Sequence, residues 1–214
     1  EAVKDGITVN LVYDGRAAKV MLNQDKVRQI EEYYAQCERE GANEHQIEES
    51  QKAVAKMEVI IGDPDRLRAV AGDFIKHYET RVAEGATVAG KAMFVCSNRT
   101  IAYNFYKIVK ELRPEWTKKK ICDDGVLLSE KDKKELKPME KIKLVMTRNK
   151  DDEKDLFDML GTKEDRKEFD RQFKNPKSNF KIAIVVDMWL TGFDVPELDT
   201  IYIDKPIQQH TLIQ

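Results

Sequence analysis

The sequence predicts an α/β domain built on a parallel sheet, and three observations carry that prediction. Two short β-branched runs, residues 182–186 (IAIVV) and 200–203 (TIYI), have the composition of strands covered on both faces and read as parallel central strands. From Lys91 onward such runs alternate with longer stretches of helical periodicity, the rhythm of strand, crossover helix and next parallel strand. Turn signals punctuate the alternation at Arg113-Pro114, at Gly161-Thr162 and at residues 175–178 (NPKS).

Taken in order, residues 7–13 (ITVNLVY) read as a strand available to a sheet formed elsewhere, closed by the Asp14-Gly15 turn. Residues 24–84 are helical in pattern: Val27, Ile30, Tyr34 and Cys37 recur at three- and four-residue steps, as do Ile47, Val54, Met57 and Ile61, with Gly41-Ala42-Asn43 between them. Asp63 followed by Pro64 is an N-cap and first-turn pair. It opens a helix with the apolar stripe Leu67, Val70, Ala71, Phe74, Ile75 and Tyr78. No chemistry is legible in this region, which reads as a solvated helical spacer packed on the core or linking two lobes.

Residues 92–96 are the next strand, and 99–112 a helix offering Ile101, Tyr103, Phe105, Ile108, Val109 and Leu112 for packing. Residues 117–141 are dense in lysine and acid, contain Gly125 and Pro138, and read as a solvated surface loop. A strand over 142–147 and helical pattern over 150–173, broken at Gly161-Thr162, lead to the 182–186 strand. The division this implies is a strand-containing lead-in over 1–22, the helical spacer over 23–88, and an α/β domain over 89–214.

Composition bounds the function. The chain has 214 residues, 41% hydrophobic and 36% charged, enough for one good core with a helical appendage. A formal net charge of −2 argues against bulk electrostatic binding to nucleic acid, while leaving room for a local positive groove. Cys37, Cys96 and Cys122 have no CxxC spacing and read as reduced thiols of a cytoplasmic protein. No apolar run approaches the roughly 18 residues of a membrane span, and Glu1 begins no signal peptide. The ends read as boundaries of a piece from a larger protein.

The candidate chemistry gathers after the 182–186 strand, where Thr191, Gly192, Asp194 and Pro196 place a hydroxyl, a flexible backbone point and a carboxylate at the strand's carboxyl end. Ligands of open α/β sheets bind along that edge. Ser97 and Asn98 follow the 92–96 strand in the same way. Together with Thr191 they suit two tasks, capping the helices that follow or donating to a phosphate, and a helix N-terminus can do both. Arg99 reads as an exposed helix arginine, with a phosphate contact as the alternative, and Asp151-Asp152-Glu153 as acids matched to a helix dipole. Trp189 and Phe193 flank the loop and read as buried beneath it, with base stacking as the alternative. His45, His77 and His210 have no metal spacing, and no metal site is expected.

Residues 181–206 (KIAIVVDMWLTGFDVPELDTIYIDKP) resemble motif V of superfamily 2 helicases and translocases, and DMWLTGFDVP is similar to the motor (R) subunit of type I restriction-modification enzymes. The resemblance extends to residues 91–98 (KAMFVCSN) as the motif IV strand, to 143–147 (KLVMT) as the strand between IV and V, and to Gln214 as the glutamine that opens motif VI. It implies that residues 89–214 form the second RecA-like motor domain, with helices on both faces of the sheet. Gly192, Asp194 and Gln214 would face the nucleotide, and Ser97, Asn98 and Thr191 the DNA backbone. The resemblance further implies ATP and Mg2+ in the whole protein, with none bound by this piece. Partners would be double-stranded DNA, the methylation and specificity subunits, and a first motor lobe and nuclease domain outside this sequence. No G-x-x-x-x-G-K-[ST] loop is present, so the isolated chain is expected to be inactive. A lobe of another superfamily 2 helicase or remodeller, and a non-enzymatic interaction module of the same fold, are the alternatives.

Overall fold

A computed structural model describes residues 14–15, 58–189 and 193–205. The strand expected over residues 7–13 and the helical pattern before residue 58 lie outside them. The first complete element, α1 (Pro64–Ala83), starts where the sequence places it, with the Asp63 side chain accepting from the Arg66 N–H at 3.1 Å and Pro64 in the first turn. Its stripe is buried at Leu67, Ala71, Phe74, Ile75 and Tyr78.

The sheet is all parallel, in the order β2-β3-β1-β4. Its strands are β1 (Lys91–Cys96), β2 (Ile142–Leu144), β3 (Ile182–Val185) and β4 (Leu198–Asp204). Helix α2 (Arg99–Leu112) follows β1, while α4 (Lys154–Leu160) and α5 (Lys163–Lys174) lie between β2 and β3. Alternating strand residues build two cores because successive side chains point to opposite faces. On one face Phe94, Cys96, Ile142, Leu144, Ile182 and Ile184 meet Phe74 of α1, Phe105 of α2 and Leu160 of α4. On the other Met93, Val95, Ala183 and Val185 meet Phe169 and Phe173 of α5. Helices on both faces of a parallel sheet are thus observed, as expected of the RecA-like α/β class. Helix α1 is part of the first core: Phe74 packs edge-on to Phe94 at 5.1 Å and to Tyr202 at 4.8 Å.

Two expectations are corrected. β4 is a sheet edge among the described residues, not a central strand, and Ile201 and Ile203 are 51% and 55% exposed. The charge-dense segment 117–141 holds more structure than a loop: a 3-10 turn (Pro114–Thr117) buries Trp116 as the segment begins. Helix α3 (Glu130–Glu135) follows, opened by a capping box in which Ser129 and Asp132 bond each other's backbone N–H. Leu136 and Met139 are buried, and Lys120 and Met139 exchange backbone hydrogen bonds at 3.0 and 2.8 Å.

Candidate functional site

Parallel pairing brings the expected site segments together. β1 and β3 run side by side with Val95 opposite Val185, and β4 flanks β1 on its other side with Asp204 opposite Cys96. Ser97-Asn98 after β1, Asp187 after β3 and Asp204-Lys205 at the end of β4 therefore leave the sheet at one edge, the carboxyl edge, while Phe193 to Val195 lead back toward the amino end of β4 at Leu198. Lys205 Nζ reaches Asp187 at 3.1 Å. That pair joins the ends of β3 and β4 and so spans the end of β1.

Each described side chain has a definable role here. Asn98 caps α2, its Oδ1 accepting from the Ile101 N–H at 2.9 Å from an extended backbone. Ser97, one residue earlier, has a buried Oγ with no hydrogen-bond partner among the described residues. A native structure seldom leaves a buried hydroxyl in that condition, because the lost hydration has to be replaced. Asp194 is exposed, followed by buried Val195 on the passage into β4. Trp189 and Phe193 stack at 4.1 Å with planes 5° apart, and Trp189 stacks on buried Phe173 at 5.3 Å. Packing rather than free display is what these rings do, although both remain half-buried. Trp189 holds φ at 65°, a left-handed conformation costly for a residue with a Cβ, and the stack compensates for it. Thr191, Gly192 and Gln214 lie outside the described residues.

Three cations at this edge, Arg66, Arg99 and Lys205, are matched by carboxylates. Arg66 forms a two-pronged pair with Asp204, one prong at 3.0 Å, and also donates to the Ile61 carbonyl. Arg99 is not the free surface arginine its position suggests: its guanidinium grips both Asp152 oxygens at 2.6 and 2.7 Å and the Thr147 carbonyl at 2.5 Å. Burial opposes ionisation of Asp152, but the Asn149 N–H and Arg99 hold its carboxyl below the usual range. The pair ties the end of β2 to the start of α2, across residues distant in sequence, so no local signal could have revealed it. With these three charges paired, the edge can still take phosphates by hydroxyls, backbone N–H groups and helix N-termini.

The opposite edge is chemically distinct. Residues 85–91 have the glycine and lysine spacing of a phosphate-binding loop, but Ala92 stands where a hydroxyl is needed and the segment leads into a strand rather than out of one. Lys91 is buried and donates to the Phe180 carbonyl at 2.5 Å, so it is unavailable to a triphosphate. A cleft of about 280 Å³ beside Lys76, Glu79, Leu112 and Arg113 lies toward the far end of α2. His77 Nδ1 bonds the Tyr202 hydroxyl at 2.9 Å in a packing contact. Among the described residues no His, Cys, Asp and Glu cluster could hold a metal, and no helix is long and apolar enough to cross a membrane.

A parallel α/β domain with paired charges and polar strand ends along one carboxyl edge is the class that fold and site define. Comparison with known proteins makes it particular: the chain belongs to the family described as type I restriction enzyme subunit R domain 3-like, whose model matches residues 88–214. It is 34% identical over its whole length to the type I restriction enzyme HindI endonuclease subunit of Haemophilus influenzae, covering 18% of that protein. It is 33% identical, again over its whole length and 18% of the relative, to the putative type I restriction enzyme MjaIXP endonuclease subunit of Methanocaldococcus jannaschii. A second M. jannaschii subunit, putative MjaVIIP, is 28% identical over 20% of its length. The chain therefore corresponds to about a fifth of the enzymes it resembles, and those relatives are endonuclease subunits.

Proposed function

We propose that this chain is the second motor lobe of a type I restriction enzyme R subunit, and that residues 89–214 grip double-stranded DNA and supply half of a nucleotide cleft during ATP-driven translocation coupled to cleavage. The observation that carries the reading is that Ser97-Asn98 and Asp187 leave the adjacent parallel strands β1 and β3 at one carboxyl edge. Ser97, Asn98 and Thr191 are the backbone-phosphate contacts, a sequence-independent grip suited to movement along DNA. Gly192, Asp194 and Gln214 face the nucleotide.

The residues present fit ATP and Mg2+ only in part. This chain offers a carboxylate and a close-approach glycine, but its near match to a phosphate loop has Ala92 in place of the hydroxyl and a buried Lys91. ATP would be held chiefly by another lobe of the whole subunit, with Asp194 orienting a cationic partner across the cleft. In the whole subunit Asp194→Asn is expected to keep the melting temperature and depress DNA-stimulated ATP hydrolysis. Asn serves a turn as well as Asp does. Unchanged hydrolysis in that variant refutes the nucleotide-side role.

A further inference from the structure

One row of side chains crosses the carboxyl edge. Val185, Val95 and Ile203 are paired in register across β3, β1 and β4. Two residues further along each chain, and so in the next row of the same face, stand Asp187, Ser97 and Lys205. Ser97 lies between the other two in this order, and their side chains meet at 3.1 Å across the end of β1. The Ser97 hydroxyl is buried there with no hydrogen-bond partner among the described residues.

Burial of the partner decides how firmly each cation of this edge is held. Asp204 and Asp152, the partners of Arg66 and Arg99, have side chains only 11% and 8% exposed, and each arginine reaches both oxygens of its carboxylate. Releasing either arginine would strand a largely buried charge. Asp187 is 78% exposed and meets Lys205 through one oxygen. An exposed pair of this kind contributes little net stability, because water solvates both charges well. Lys205 is therefore the exchangeable cation, and Arg66, by gripping Asp204, fixes the residue before it.

We propose that Lys205 is a DNA-phosphate contact held in reserve by Asp187: a backbone phosphate displaces Asp187 from the ammonium and accepts a hydrogen bond from the Ser97 hydroxyl beside it. One anion then satisfies both the released cation and the unpartnered donor. The contact reads charge and not sequence. The inference rests on the DNA-grip reading and adds to it a cation and the carboxylate that competes for it.

Salt titration of double-stranded DNA binding by the whole R subunit, on two unrelated sequences, tests it. Lys205→Gln should weaken binding equally on both and lower the slope of log affinity against log salt by about 1. Asp187→Asn should tighten binding at low salt by about two- to fivefold, since the competing carboxylate is gone. Lys110→Gln, at an exposed site in the last turn of α2, should leave the slope unchanged. Both edge substitutions break the same ion pair, so a bridge that serves only structure would shift both in one direction and overturn the proposal. An unchanged slope in Lys205→Gln, an equal fall in Lys110→Gln, or an Asp187→Asn subunit that binds no tighter than wild type also overturns it. A wild-type subunit that binds neither duplex overturns the DNA-grip reading as well, which tells the two failures apart.

Discussion

Lys91→Met should stabilise this protein at neutral pH and cease to do so in alkali. Lys91 is 1% exposed, its Nζ donates to the Phe180 carbonyl and lies over the Phe173 ring, and burial with the nearby Lys181 lowers its pKa to about 6 from 10.5. A lysine with a depressed folded pKa binds its proton mainly when unfolded, so stability rises with pH between about 6 and 10.5 and is lost as pH falls. At about 1.4 kcal/mol per pK unit, stripping the proton costs about 5 kcal/mol at pH 7 and about 1 kcal/mol at pH 10. Methionine fills similar space without that cost, but leaves the Phe180 carbonyl short of a donor, a loss of about 1–3 kcal/mol. The expected outcome is a variant more stable by about 2–4 kcal/mol at pH 7 and no more stable than wild type at pH 10. Urea unfolding midpoints of both proteins at the two pH values measure this, since every other titrating group is shared. A stability difference that does not change with pH would show that Lys91 is charged in the folded state and refute the reasoning.

The purified 214-residue chain should show no DNA-stimulated ATPase in a phosphate-release assay, because it carries no complete phosphate-binding loop; measurable turnover would contradict this. Arg99→Ala should destabilise by about 1–3 kcal/mol by stranding the largely buried Asp152 carboxylate. The Asp152 contribution is present above the unfolded carboxyl pKa and lost as pH falls through the lower folded value, so the variant's acid-unfolding limb should be shallower in a pH melt. Gly90→Ala should cost about 1–2 kcal/mol in thermal unfolding, since φ is 65° and a Cβ would sit 3.3 Å from the Tyr78 hydroxyl.

Local signals located most of the elements. Asn98 and the Arg113-Pro114 stop bracket α2, Asp63-Pro64 opens α1, and Gly161-Thr162 separates α4 from α5. Helix α3 was missed because its lysines and acids have no apolar periodicity; its one legible sign is the Ser129 to Asp132 capping box. The exposure of β4 was illegible because TIYI reads alike at the centre or edge of a sheet, and neighbours decide which it is. Among site residues, the shared carboxyl edge of Ser97-Asn98 and Asp187 was readable from strand-end placement. The Arg99–Asp152 and Lys205–Asp187 pairs join residues far apart in the chain and arise only from the fold.

The claim that this edge grips DNA is tested most directly by Ser97→Ala in the whole R subunit. The Ser97 hydroxyl has no partner among the described residues, so its removal should leave the melting temperature within about a degree of wild type. Translocation on double-stranded DNA, followed by triplex displacement, should slow about fivefold through loss of one hydrogen bond to a phosphate, to the same extent on unrelated DNA sequences. Normal translocation with an unchanged melting temperature would contradict the account.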